Sequence, residues 1–240
     1  MCGRFTLRSV DRLMARFGTQ NWSGVSQLPQ LIPRFNIAPT QDVLTLTASR
    51  GERAFSFMVW GMIPSWSTEQ AGFINARAET LAQKASFSES FRRRRSLVVA
   101  DGFYEWKREG KLKQPYYFQL EDESPFAFAG LWDQFRRPDS KAVPGSPESV
   151  ITSCAIVTTK PNELLISIHD RMPVILPPTD YDVWLNEDAR PDELSALLMP
   201  YPADGMKSFP VSQRVNYAQI DEPDLVEPAE VKAREQGSLF

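Results

Sequence analysis

Short stretches in which apolar residues alternate with polar ones, or run together with β-branched ones, recur along the chain. They are VLTLTA (43–48), AFSFMVW (54–60), SLVVA (96–100), YYFQL (116–120), FAFAGL (126–131) and VITSCAIV (150–157). Runs of this length and period predict strands. Helical spacing is confined to a few segments. Ser9 can cap a helix reaching Phe17, with Leu13, Met14 and Phe17 on one side and Gly18 as the stop. Further helices are predicted at Asn162–Ile168, around Asp180–Leu185, and at Arg190–Leu198, where Pro191 sits in the first turn. Pro33 and Pro39 bracket an irregular segment, RFNIAPT. No internal repeat is present, so one α+β domain over residues 1–220, with a sheet-rich core and short flanking helices, is the simplest partition. RRPDSKAVPGSPES (136–149) predicts a surface loop between two strands, and the acidic residues 221–240 predict a flexible tail.

Composition narrows the class. With 240 residues, 42% of them hydrophobic, the chain can bury a substantial core. No stretch approaches the roughly 20 apolar residues that span a bilayer, and MCGRFTLRSV lacks the apolar core of a signal peptide, so a cytoplasmic protein is expected. Cys2 and Cys154 are too few for a disulfide scaffold or a thiolate metal site, and the single histidine, His169, argues against catalytic zinc. The net charge is −3, but residues 221–240 hold six acids and two bases, leaving 25 bases and 24 acids before them. The body is close to neutral and contains the basic run Arg92–Arg95, so charge neither requires nor excludes a nucleic-acid partner.

Several residues could do chemistry, and each has a plainer reading. A lone cysteine is more often a small buried hydrophobe than a nucleophile. At position 2, however, removal of Met1 would leave Cys2 as a terminal 1,2-aminothiol. Its amine (pKa about 7.7–8.0) and thiol (about 8.5) are both usefully nucleophilic near neutrality. Such a group condenses with an aldehyde to an imine, which the thiol closes to a thiazolidine. Glu105 lies between Tyr104 and Trp106 in DGFYEWK, apolar company that would raise its pKa and suit it to general acid–base work; a solvated glutamate on an edge strand is the alternative. His169 in SIHDRMPVIL has Asp170 and Arg171 beside it, and is otherwise a structural or surface histidine. Asn75 in FINARAET needs partners if buried, and could serve only a neighbouring loop. Arg4 and Arg77 could clamp phosphates or simply pair with carboxylates. Trp60 and Trp66 flank a proline turn in WGMIPSW, where an exposed ring could stack on unpaired bases and a buried one would be core.

Taken together and in this order, MCGRF, FNIAPTQ, WGMIPSW, INARAET, ADGFYEWK, VTT and IHDRMPVIL resemble the SRAP family, the SOS-response-associated peptidases or abasic-site processing proteins. Eukaryotic relatives include the embryonic-stem-cell 5-hydroxymethylcytosine-binding protein. The resemblance covers about residues 1–220 and implies a mixed, barrel-like sheet. It further implies that Cys2, freed of Met1, bonds covalently to an abasic site in single-stranded DNA, including DNA at junctions, and shields the lesion. Asn75 would hold the N-terminus and sugar, Glu105 would shuttle protons, and His169 would protonate the sugar oxygen and assist reversal. Arg4, Arg77, Trp66 and Asn36 would contact DNA. No metal or organic cofactor is implied, and a monomer is expected. Where some relatives carry an arginine after ARxET, this chain has Lys84-Ala85, so no phosphate contact is assigned there.

Two other readings use the same residues. Cys2, Glu105 and His169 could serve an N-terminal-nucleophile peptidase, as the family name suggests, or the arginines and aromatics a non-catalytic reader of single strands. The C-terminal QGSLF, with Gln236, Leu239 and Phe240, also resembles the peptide by which bacterial repair proteins dock on the sliding clamp, although five residues at a chain end match by chance about as readily.

Overall fold

A computed structural model describes residues 2–19, 21–22, 31–110, 112–137 and 150–230. The strand-forming runs build two sheets. The first contains β1 (Phe5–Leu7), β2 (Arg34–Ile37), β7 (Gly102–Glu109), β8 (Leu112–Leu120) and β13 (Met206–Pro210), in the order β13-β8-β7-β1-β2. The second is built on β3 (Asp42–Ser49), β4 (Glu52–Trp60), β6 (Arg95–Ala100), β9 (Phe126–Arg136) and β10 (Val150–Thr159). These five close on themselves, because β10 pairs with β4 at one edge and β9 at the other. Three short strands extend the barrel: β5 (Asn75–Arg77) runs parallel to β10, while β11 (Met172–Pro173) and β12 (Ile175–Leu176) pair with β10 and β9.

Phe5 joins the two layers. From β1 of the first sheet its ring meets Trp60 and Phe128 of the barrel edge-on, at centroid distances of 5.1 and 5.8 Å. Such contacts add directional preference to the area they bury. Beneath them, Asp101 sits at the turn from barrel strand β6 into β7 and is fully buried. Its carboxylate accepts from Thr6 Oγ1 (2.6 Å), Arg8 N (2.5 Å) and Ser9 N (2.7 Å), which fixes β1 against β7. Gly102 follows because nothing larger fits: a Cβ there would lie 2.0 Å from the Tyr117 hydroxyl.

Several sequence expectations change. Ser9 does not cap its helix with its side chain; its backbone N–H goes to Asp101, and a 3₁₀ turn, Val10–Arg12, leads into α1 (Leu13–Phe17). Gly18 ends that helix in the left-handed region, at φ 67°, donating to Met14 O. The helix expected at Asn162–Ile168 is a run of turns, where Asn162 Oδ1 accepts from Leu165 N. The other helices are α2 (Ser88–Arg93), α3 (Tyr181–Leu185) and α4 (Pro191–Ala196), the last starting at its proline. The basic run is divided, since Arg95 is buried and spends its guanidinium on the carbonyls of Phe91, Arg92, Trp184 and Asn186.

The tail does not begin at residue 221 as a flexible segment. Asp221 accepts from Phe35 N and Asn36 N and pairs with Arg34, and Leu225 is buried with Tyr104, Tyr117, Val211 and Val215. Ala229 N donates to Pro210 O, so the chain is docked at least that far. The acids misled because one of them saturates backbone donors rather than water. Most of the loop at 136–149 lies outside the described residues, as does QGSLF; the strands flanking the loop pair directly, Val150 with Arg136.

Candidate active site

Strands β7 and β8 of the first sheet and the segments bearing Arg4 and His169 meet at a cleft of about 470 Å³ whose walls include Gly3, Arg4, Glu105, Trp106 and His169. The N-terminal segment enters along β1. Asn75, on β5 of the barrel, donates from Nδ2 to Cys2 O at 2.9 Å and so ties that segment across the gap between sheets. The Cys2 thiol is fully buried, with Sγ 3.8 Å from Arg4 O, and does not line the cleft. Burial pushes its pKa far above the ordinary thiol range, and the Glu105 carboxylate adds to the effect, which brings the two groups within electrostatic reach. In the chain as it stands Cys2 is therefore not a ready thiolate, contrary to a reading from the free side chain alone.

Glu105 is not on an edge. β7 is paired with β1 on one side and β8 on the other, and Glu105 is 2% exposed. Burial raises its pKa to about 7, so protonated and ionised forms coexist at neutral pH. His169 Nε2 lies 4.0 Å from Glu105 Oε2. The other ring nitrogen, Nδ1, accepts from Arg171 N at 3.0 Å, which puts the proton of the neutral imidazole on Nε2, facing the glutamate. Burial lowers the His169 pKa, favouring that neutral form. When the ring is protonated, Nδ1–H can turn instead to Asp170 Oδ1, 3.0 Å away. Arg171 is anchored in turn: its guanidinium grips both Glu79 oxygens, at 2.6 and 2.9 Å, and donates to Thr158 O.

The expected DNA-contacting residues separate. Arg4 Nη1 donates to Asn36 Oδ1 (2.8 Å) and Val215 O (2.6 Å), and Nη2 to Asn216 O (3.2 Å), which holds the guanidinium on the cleft wall. Asn36 does not reach solvent. It is fully buried, and its amide donates to the carbonyls of Val215, Tyr217 and Ile220, so it supports Arg4 and cannot touch DNA itself. Arg77 is exposed at the end of β5. Trp60 is core, donating to Ile74 O, whereas Trp66 is 64% exposed. The loop bearing Trp66 is pinched at its neck by paired hydrogen bonds between Met62 and Phe73. Gly72 is required there, since a Cβ would meet Gly61 O at 2.2 Å. That loop runs straight into Asn75 but does not line the cleft.

Sequence reasoning missed Trp106, Arg108, Lys113 and Asn216, all on the cleft wall. Trp106 Nε1 donates to Asn216 Oδ1 at 2.7 Å, fixing the ring. No local signal marks Lys113 or Asn216; only the strand pairing and the C-terminal wrap bring them there. Among the described residues no cluster of His, Cys, Asp and Glu could hold a metal ion, and no helix is long and apolar enough to cross a membrane.

Comparison with known proteins gives one family. The abasic site processing protein YoqW of Bacillus subtilis is 41% identical, over 95% of this chain and 99% of that protein. The abasic site processing protein YedK of Escherichia coli is 29% identical over 95% and 100%. A solved structure from Bacteroides thetaiotaomicron superposes with a TM-score of 0.82 at 26% identity, covering 95% of this chain and all of that one. The profile described as SOS response associated peptidase (SRAP) matches residues 1–218, and the chain belongs to that family.

Proposed function

We propose that this protein recognises abasic sites in single-stranded DNA and links to them reversibly through Cys2, once Met1 has been removed, protecting the lesion during replication and the SOS response. The convergence of Gly3 and Arg4, next in the chain to Cys2, with Glu105 and His169 on one cleft is the observation that carries the reading. The names of the relatives, abasic site processing proteins, agree with it.

An abasic deoxyribose is mostly a closed hemiacetal, and opening it yields an aldehyde. The freed α-amine of Cys2 adds to that carbon, the adduct loses water to give an imine, and the thiol adds to the same carbon with its proton passing to nitrogen. The net change is aldehyde plus aminothiol to thiazolidine plus water. Each step moves a proton, and a carboxyl group with a pKa of about 7 can both donate and accept one. His169, neutral with Nε2–H toward Glu105, can relay protons between that carboxyl and the sugar oxygen. Because the amine attacks first, the raised thiol pKa does not block the reaction; the thiol is needed only after the imine has formed. Asn75 keeps the N-terminal backbone in place, and Arg4, backed by Asn36, presents a cation to a flanking phosphate.

Single strands and junctions are the expected substrates, because extruding a lesion from a duplex costs a few kcal/mol. The protein acts as a monomer and, through QGSLF, docks on the sliding clamp; truncation before Gly237 should abolish clamp binding. A peptidase acting on other chains is disfavoured by the buried, high-pKa thiol. Purified protein mixed with single-stranded DNA bearing one abasic site should give a shifted band on a denaturing gel, absent with Cys2→Ala. Absence of any band with protein verified to lack Met1 would falsify the reading, and peptide cleavage without a DNA adduct would favour the hydrolase.

A further inference from the structure

Strand pairing places two cations opposite one another on the cleft rim. β7 and β8 form a hairpin in which Trp106 faces Pro115, Lys107 faces Gln114, and Arg108 faces Lys113. Arg108 and Lys113 are both exposed and both border the cleft that holds Glu105 and His169. Neither makes an ion pair or side-chain hydrogen bond among the described residues. Like charges directly opposite across an antiparallel pair repel, so the hairpin is less stable than it would be with a neutral residue at either position. Arg4, on the same cleft, is a third cation, and the one carboxylate among the lining residues, Glu105, is half neutral at pH 7. The residues that line the cleft therefore carry more positive than negative charge. The charge of Arg108 reaches the reaction centre, since it contributes to the lowered pKa of His169.

We propose that Arg108 and Lys113 form a phosphate-binding rim that holds the nucleic-acid backbone beside the cleft, separate from Arg4 and Arg77. The occupant is a phosphodiester chain rather than a single phosphate. The rim is continuous with the fixed face of Trp106, and a strand entering over it presents successive phosphates to Lys113, Arg108 and Arg4 while a base can lie on the indole. A phosphate between Arg108 and Lys113 removes their mutual repulsion, so binding there is favoured over the empty rim. The inference rests on the nucleic-acid reading above and adds where the strand runs.

The test is equilibrium binding of a lesion-free single-stranded oligonucleotide, followed by fluorescence anisotropy across a salt series. Each phosphate contact on a single strand contributes about 0.7 to the slope of log K against log salt. Arg108→Ala with Lys113→Ala should lower that slope by about 1.4 and weaken binding about tenfold near physiological salt. The charge-preserving exchange Arg108→Lys with Lys113→Arg should restore both. Arg190→Ala, remote and already paired with Asp192, should match wild type. Both rim side chains are exposed, so the melting temperature should not fall, and a fall in the alanine variant would be checked against the exchange variant. Coincident curves for wild type and the alanine variant overturn the rim. Crosslinking of wild type to an abasic oligonucleotide, run in parallel, judges the wider reading separately: adduct with coincident curves removes the rim alone, and binding without adduct removes the covalent reaction but not the rim. Failure of wild type to bind any single strand removes both.

Discussion

The two halves of the site are held by different physics. Glu105 lies on the five-stranded sheet, and Cys2 and Arg4 on the segment leading into its strand β1, which is fixed by the buried Asp101 carboxylate and its three short hydrogen bonds. Asn75 and His169 come from the barrel, on a three-residue strand and a run of turns. Asn75 is held by the pairing of β5 with β10, and the His169 segment by an ion pair at the solvent edge, Arg171 with Glu79, the latter half exposed. Breaking a buried, hydrogen-bonded charge costs several kcal/mol, whereas a surface pair is worth about 0–1 kcal/mol. The group carrying protons is thus mounted on a rigid frame, and the histidine that addresses it on one that can adjust. At the site the halves approach through the hydrogen bond from Asn75 to Cys2 O and the 4.0 Å approach of His169 to Glu105.

The sharpest way to break that contrast is at Asp101. Asp101→Ala removes a buried charge that accepts from the Thr6 hydroxyl and the Arg8 and Ser9 backbone N–H groups, and should cost about 3–5 kcal/mol in urea denaturation. A loss below about 1 kcal/mol would mean the two halves are equally soft. Glu105 comes next and should show the opposite sign on stability. Its pKa is raised in the folded state from the ordinary 4.5 to about 7, so the native protein holds a proton there that the unfolded chain releases. The associated stability is fully present below about pH 4.5 and is lost as pH rises through 7. Glu105→Gln should therefore unfold at about the same denaturant concentration as wild type at low pH but be more stable at pH 8, by up to about 3 kcal/mol. Crosslinking should slow by about 10²–10⁴-fold. A stable variant that still reacts at the wild-type rate would remove Glu105 from the chemistry.

Asn75→Ala tests the tie between the halves. The lost hydrogen bond should cost about 1 kcal/mol of stability, with the crosslinking rate falling about tenfold because the terminal nitrogen is no longer held. Equal rates would show that β1 alone positions the N-terminus.

What could be read from the chain divides along the same line. The barrel strands and the motifs around Cys2, Asn75, Glu105 and His169 are local patterns, and the structure brings those four segments to one place. Asn36 was misassigned because an amide among apolar residues looks the same whether it faces a ligand or a carbonyl. The carbonyls it serves lie about 180 residues away, at Val215–Ile220. The partner of the Ser9 backbone N–H is equally remote, since Asp101 lies 92 residues further along the chain. Arg108 and Lys113 became neighbours only through hairpin register, which spacing alone does not fix.

The smallest expected effect concerns the adjustable half. Glu79→Gln leaves one of the two charges at the solvent edge unpaired and should change stability by no more than about 1 kcal/mol. Its consequence should appear at His169 instead. The grip on Arg171 holds the backbone N–H that Nδ1 accepts, and that bond is what keeps the proton on Nε2. His169 is the chain's single histidine, so one pair of imidazole nitrogen resonances reports it without assignment. Nitrogen-15 spectra at pH 8 should show the Nε2–H tautomer in wild type and a growing share of Nδ1–H in Glu79→Gln. Titration should place the wild-type ring below the ordinary 6.5. If the variant keeps the wild-type tautomer, the Arg171 backbone needs no help from its side chain, and the barrel half of the site is more rigid than its exposed ion pair suggests.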